Sequence, residues 1–359
     1  MYKLIKSLQS IRFFSILIIF LFHSSVLVSE EHIILYNRFF SDGYVGTIFF
    51  MVLSGFVVAY NYYNKMHGHT VKDSISFVKK RMKRIYPLHV LTFMIAAMFI
   101  YKEIISSPIK SIVRAFFNLT LIQSFVPNLG IGLSYNAPSW YLSTTLFFYL
   151  ATPLLFELTR KINEKKINIW FVIVIVYSFQ FLIVFVGRDS TFNNWLFYVN
   201  PFFSLLSYYI GILLGIIGID KLKTYNGTVV KYTLLELLSI ILFIIAYYLN
   251  PYINQSFRYE VYYLPFAAFI IYTFAIQKGY LSKFISNKLL VYLGNISFEF
   301  YIVHQLMIRL VYKYVNINVS ITRILISFVF TLIISAIVHK INKTKKTFHT
   351  EIKGNVVAQ

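Results

Sequence analysis

Runs of about 20 apolar residues, enough to cross the roughly 30 Å hydrocarbon core of a bilayer, recur along nearly the whole chain. They lie near 11–29, 43–60, 86–101, 138–156, 167–186, 197–219, 229–249, 259–276, 291–312 and 321–340, the third being the shortest. A backbone in lipid must satisfy its own N–H and C=O groups, and helices of this length do so within one segment. The expected fold is therefore all-α, a polytopic membrane protein of about ten transmembrane helices. Only 13% of the residues are charged, against about a quarter in soluble domains, and no stretch remains for a separate soluble domain. The expected organisation is an integral-membrane domain over 1–345 and a short basic tail over 346–359. The first apolar core is close to 18 residues long and no small-x-small cleavage site follows it, so it reads as an uncleaved span rather than a signal peptide.

The formal net charge of +21 does not point to nucleic acid, because the basic residues fall between apolar blocks rather than on one face. They gather instead in alternate connections: Lys3 and Lys6, then Lys65 to Arg84, 160–166, 221–231, 278–288, and Lys340 onward. Together these hold 24 of the 34 Lys and Arg, whereas the opposite connections hold eight. The positive-inside rule then puts both termini in the cytoplasm. Residues 112–126 are apolar but short and include Arg114, Asn118 and Gln123. Were they to span, every later basic loop would move outside, so they are expected as an external interfacial or re-entrant segment. There is no cysteine, which excludes disulfides, thiol nucleophiles and thiolate metal sites. No GxxxxGK run supports an ATP-driven pump, and no HExxH pair occurs, so no metal is expected. His67 and His69, in the basic connection, are coupled to no site.

Two ionisable residues stand in the first apolar run. Arg12 and His23 are 11 positions apart, which at about 100° per residue leaves them about 20° apart on one helix face, separated by about 16 Å. Arg12 is placed at the cytoplasmic mouth and His23 beyond the midplane. His304, about 20 Å into the ninth span, falls near the depth of His23. Two imidazoles at one level suit one cavity, with Glu299 a possible orienting carboxylate about a turn deeper. Taken singly, each residue is accounted for by topology or interhelical hydrogen bonding, but ionisable groups within spans are functional candidates by default.

These residues form part of a larger pattern. Arg12-x10-His23 resembles the first-helix signature of the membrane-bound acyltransferase-3 family, which includes O-antigen, capsule and Nod-factor O-acetylases. FFMVLSGFVVAY (49–60) resembles its FF-x-x-SGF segment through Phe49, Phe50, Ser54, Gly55 and Phe56. KKRMKRIYPLHVL (79–91) is similar to its R-x-x-R-hydrophobic-Tyr-Pro segment through Arg81, Arg84, Tyr86 and Pro87. APSWYLSTTLFFYLATPLL (137–155) and LGNISFEFYIVHQ (293–305) resemble two further blocks, so that five fall in order along residues 12–305. The chain departs from the fourth block at Thr145, where many members carry glutamate, and at Tyr141, where they carry serine. A carboxylate role at position 145 is thereby in doubt.

The resemblance implies an acyltransferase of a bacterial inner membrane that takes acetyl from acetyl-coenzyme A inside and passes it to the hydroxyl of an envelope glycan or lipid-linked sugar outside. The donor's phosphates need cations at the inner mouth. Arg81 and Arg84, with Lys79, Lys80 and Lys83, supply them beside Arg12, and guanidinium forks suit phosphate better than ammonium groups. His23, neutral near pH 7, suits a general base or an acyl-accepting nucleophile. Ser54 is a second conceivable acyl carrier or substrate contact, although a Ser-Gly pair in a span more often serves close helix packing. Trp140 and Tyr301 are candidates to line the cavity or contact the sugar. An exporter of a polysaccharide or lipid-linked sugar, using the ionisable residues as a proton relay, is the alternative. The inverted repeats common in such carriers are not found. A non-catalytic scaffold leaves Arg12, His23 and His304 unexplained.

Overall fold

A computed structural model describes residues 4–66, 71–222 and 224–357, so Lys3, His67 and His69 lie outside the described residues. Among the described residues every regular element is helical. Helix α1 (Lys6–His23) leads through a short turn to α2 (Glu30–Phe40), which buries none of its side chains, and α3 (Tyr44–Tyr62) turns back along α1. Then come α4 (Val71–Phe99), α5 (Tyr101–Ser106), α6 (Pro108–Leu119), α7 (Leu129–Gly132), α8 (Trp140–Glu164) and α9 (Ile169–Gly187). The second half holds α10 (Pro201–Lys221), α11 (Val229–Leu249), α12 (Gln255–Arg258), α13 (Leu264–Ala275) and α14 (Tyr280–Ile285). It closes with α15 (Lys288–Asn295), α16 (Ser297–Tyr314) and α17 (Ser320–Val357), whose backbone carries the helix into the expected tail. Several starts are written in the sequence. Asn168, Asn200, Thr228 and Asn287 each accept a backbone N–H from the first turn of the helix that follows.

Among the described residues seven helical stretches, containing α1, α3, α8, α9, α10, α11 and α17, are long and apolar enough to cross a membrane. The other three expected spans coincide with the second half of α4, with α13 and with α16. The 12 residues of α13 rise only about 18 Å. Helix α16 is too polar to face lipid, because it carries Glu299, His304 and Arg309, and it is packed against α1, α4 and α17. Burial separates inner from outer helices: the apolar windows of α3 and α10 are 78% buried, those of α9 and α17 only 17%. Close approach explains the first pair. A Cβ on Gly55 would sit 2.1 Å from the Tyr208 carbonyl oxygen, and one on Gly211 would sit 2.2 Å from that of Val52.

One expectation changes in detail. The connection from Lys65 to Arg84 is not a loop throughout, since α4 begins at Val71 and runs unbroken through Pro87. Its Lys- and Arg-rich stretch has good helix formers at nearly every position. Residues 112–126 hold no helix long enough to cross a membrane. Helix α6, with 12 residues, points Ile109, Ile112 and Phe116 outward and buries Ser111 and Asn118, the pattern of a helix lying at the rim of the bundle. Three other buried carboxylates act as fasteners. Asp42 accepts from Tyr263, Asn250 and Arg258 at 2.7, 2.8 and 3.3 Å. Glu260 accepts from Ser204, Ser207 and Gln180 at 2.5, 2.6 and 2.8 Å, and Glu236 accepts the Leu281 and Ser282 N–H groups that open α14.

Candidate active site

Helices α1 and α16 bring together two histidines 281 positions apart: Nδ1 of His23 lies 2.9 Å from Nε2 of His304. His304 is fully buried, and its Nδ1 lies 2.5 Å from the Tyr301 carbonyl oxygen, one turn back on α16. A carbonyl oxygen can only accept, so His304 Nδ1 carries the proton. A neutral His304 then has an accepting Nε2, and His23 Nδ1 must donate to it. That leaves the lone pair of the neutral His23 imidazole on Nε2. The chain of two bonds fixes the tautomer of His23 and the orientation of its ring, as the partner of a working histidine does.

At the other end of the helix, Arg12 is within electrostatic reach of Tyr149, Arg84, Arg81 and Tyr141. The guanidinium of Arg81 sits 4.9 Å from the Tyr62 ring centroid and 5.6 Å from that of Tyr149. Aromatic faces, not carboxylates, therefore hold this cation. Among the described residues no carboxylate pairs with Arg12, Arg81 or Arg84. Three guanidinium groups from α1 and α4, none with a carboxylate partner among the described residues, thus gather at this end, and guanidinium forks suit anions. Lys80 is exposed on α4 beside them. A cavity of about 380 Å³ lined by Tyr63, Asn64, Arg160, Asn163 and Glu164 opens at this same end, where Arg160 lies over the Tyr63 ring.

Aromatic and hydroxyl side chains connect the two ends. Tyr141 is near Arg12, faces Ser54 and Thr145, and lies 5.7 Å ring to ring from Tyr301. Phe50 touches both rings, and the Tyr301 ring is 5.8 Å from that of His304. Ser54, Tyr141 and Thr145 thus form one cluster, and two of the three are the positions that depart from the fourth sequence block. Gly55, rather than Ser54, makes the close contact with α10.

Two expected site residues stand elsewhere. Glu299 does not orient either imidazole. Its buried carboxylate meets Nδ1 of His339 on α17 at 3.0 Å, because five residues on a helix turn it about 140° from His304. Trp140 is 3% exposed and packed 4.9 Å from Tyr198, which leaves no open ring face for a sugar. Sequence reasoning passed over Arg309, five residues beyond His304, which is within electrostatic reach of His23 and donates to the Tyr135 carbonyl at 3.0 Å. Its signal was an arginine within a span, the same signal that singled out Arg12. Arg309 lines a second cavity, about 240 Å³, at the His23 end. Among the described residues no group of three His, Cys, Asp or Glu converges as a metal site requires.

Known proteins show the family to which this arrangement of helices and side chains belongs. Residues 5–340 match the acyltransferase-3 family, described as an acyltransferase domain. Acyltransferase MdmB of Streptomyces mycarofaciens is 28% identical over 337 residues, covering 85% of this chain and 79% of its own length. No solved structure matches. A multi-pass helical membrane protein matched to that family over nearly all its length, this chain belongs to the acyltransferase-3 family and is an acyltransferase.

Proposed function

We propose that the protein transfers an acetyl group from acetyl-coenzyme A on the cytoplasmic side of a bacterial inner membrane to a hydroxyl of an envelope polysaccharide, O-antigen or lipid-linked sugar on the other side. The observation that carries this reading is the bond between His23 Nδ1 and His304 Nε2, which leaves His23 Nε2 as a base directed away from its partner. Arg12, Arg81 and Arg84, with Lys80 at the rim, hold the donor's phosphates at the basic face. The rise of about 16 Å from Arg12 to His23 is comparable to an extended pantetheine arm, and Phe50, Tyr141 and Tyr301 border that path. At its far end His23 Nε2 removes the proton of the acceptor hydroxyl while the oxygen attacks the thioester carbonyl. The carbon–sulfur bond breaks, the carbon–oxygen ester bond forms, and the proton passes from His23 to the departing thiolate. His304 and the Tyr301 carbonyl stabilise the imidazolium formed in between.

Comparing glycan acetylation in a strain lacking the protein with its parent tests the reading. Loss of O-acetyl groups from one envelope glycan, restored by the parental gene and not by a His23→Ala gene, is expected. Unchanged acetylation of every glycan in the deletion strain would refute it.

A further inference from the structure

The cavity at the His23 end is built from a strained segment. Tyr135 has φ of +57°, which a bulky side chain rarely adopts, and such strain persists only where the surroundings impose it. Three contacts do so here. The Tyr135 hydroxyl donates to the Ser111 carbonyl at 2.9 Å, its ring lies 4.2 Å from that of Phe93, and its own carbonyl accepts from Arg309. The next residue, Asn136, donates to the Ile302 carbonyl of α16 at 2.9 Å and keeps a buried Oδ1 with no partner among the described residues. The wall of the cavity is thus tied to the helix that carries His304.

The charge in the cavity is unbalanced. Arg114 is paired with Glu103, but Arg309 meets only a backbone carbonyl and has no carboxylate partner among the described residues. With Ser111 and Ser134 and the apolar Ile100, Leu129 and Leu133 also in the wall, the lining holds the Arg114–Glu103 pair, whose charges cancel, and the guanidinium of Arg309, whose charge does not. Its volume of about 240 Å³ is below the roughly 300–1,000 Å³ of sites for drug-sized ligands, and fits one sugar ring rather than several.

We infer that this cavity seats the acceptor, and that the sugar unit it takes carries a negative charge, a carboxylate or a phosphate, paired with Arg309 and next to the hydroxyl acylated at His23. The inference rests on the acyl-transfer reading above. Losing a hydrogen-bonded charge pair of this kind weakens binding on the order of 10- to 100-fold.

The test uses the purified full-length protein in detergent, radiolabelled acetyl-coenzyme A, and glycan extracted from a strain lacking the protein. Labelled product is cut by mild acid and its fragments are separated by electrophoresis at neutral pH. Label in a fragment that moves to the anode is expected, and phosphatase then separates the sources: loss of that mobility identifies a phosphate, persistence a carboxylate. Label confined to neutral fragments overturns the inference while leaving acyl transfer intact, and no label in any glycan overturns the reading beneath it. In Arg309→Gln the acceptor concentration for half-maximal transfer should rise about 10- to 100-fold with the donor's KM unchanged, and Arg309→Lys should recover part of the loss. A folded Arg309→Gln protein with parental acceptor dependence overturns the inference, and the electrophoretic result stands even if that variant fails to fold.

Discussion

If His304 acts through His23, its removal has a cost that follows from the geometry. The 2.9 Å bond between the two rings is the one that holds His23 Nδ1. In His304→Ala that N–H is left without its acceptor in a packed interior, a loss of about 1–3 kcal/mol. The ring also gains freedom to turn its lone pair away from the acceptor. At about 1.4 kcal/mol per factor of ten in rate, kcat should fall about tenfold to hundredfold. His23→Ala, which removes the base itself, should lower kcat by about 10²–10⁴. The double variant should be little worse than His23→Ala, because His304 has nothing left to orient. His304→Gln should retain more activity than His304→Ala, since its amide oxygen reaches toward the place of Nε2 and accepts. Acetyl-coenzyme A turnover in detergent, on protein first shown to be monodisperse with parental thermal stability, measures all four. A folded His304→Ala enzyme at parental kcat, or a double variant whose losses multiply, refutes the orienting role.

Arg81→Ala and Arg84→Ala should raise the KM for acetyl-coenzyme A with kcat little changed, as loss of contacts made equally in ground and transition states requires; a fall in kcat alone would remove them from donor binding. Gly55→Ala should destabilise the protein by about 1–3 kcal/mol, because its Cβ would meet the Tyr208 carbonyl oxygen at 2.1 Å; an unchanged unfolding midpoint would refute the close contact of α3 with α10. Glu299→Ala should lower stability by about 1–3 kcal/mol through loss of the His339 contact and leave kcat within about threefold of the parent, less than one hydrogen bond's worth. A hundredfold fall in a folded Glu299→Ala protein would return Glu299 to the imidazole pair.

Much of this arrangement is legible in the sequence because lipid imposes a ruler on the chain. Depth follows from residue number along a span at 1.5 Å each, and residue number alone sets His23 and His304 at one level, where the rings meet at 2.9 Å. Azimuth is less legible. Glu299 and His304 lie on one helix at nearby depths, yet they face different neighbours, and which neighbour stands where is a tertiary fact. The start of α4 was obscured by its charges, which in a span argue for a loop but in a helix outside lipid are ordinary. The strained backbone of Tyr135 and its tie to Arg309 have no local signature, because a bulky residue at positive φ is held by partners far away in the chain. Nor does composition reveal that the unneutralised arginines converge, since counting charges cannot say which are paired.

The central claim is that an acyl group enters at the Arg12 end and leaves at the His23 end. Sealed membrane vesicles of defined orientation, given radiolabelled acetyl-coenzyme A on the outside only, test it most directly. Vesicles with the cytoplasmic face outward should transfer label to glycan enclosed within them. Right-side-out vesicles should transfer none until they are permeabilised. Equal transfer by both kinds of intact vesicle, or transfer only by the right-side-out kind, would contradict passage of the acyl group from Arg12 to His23.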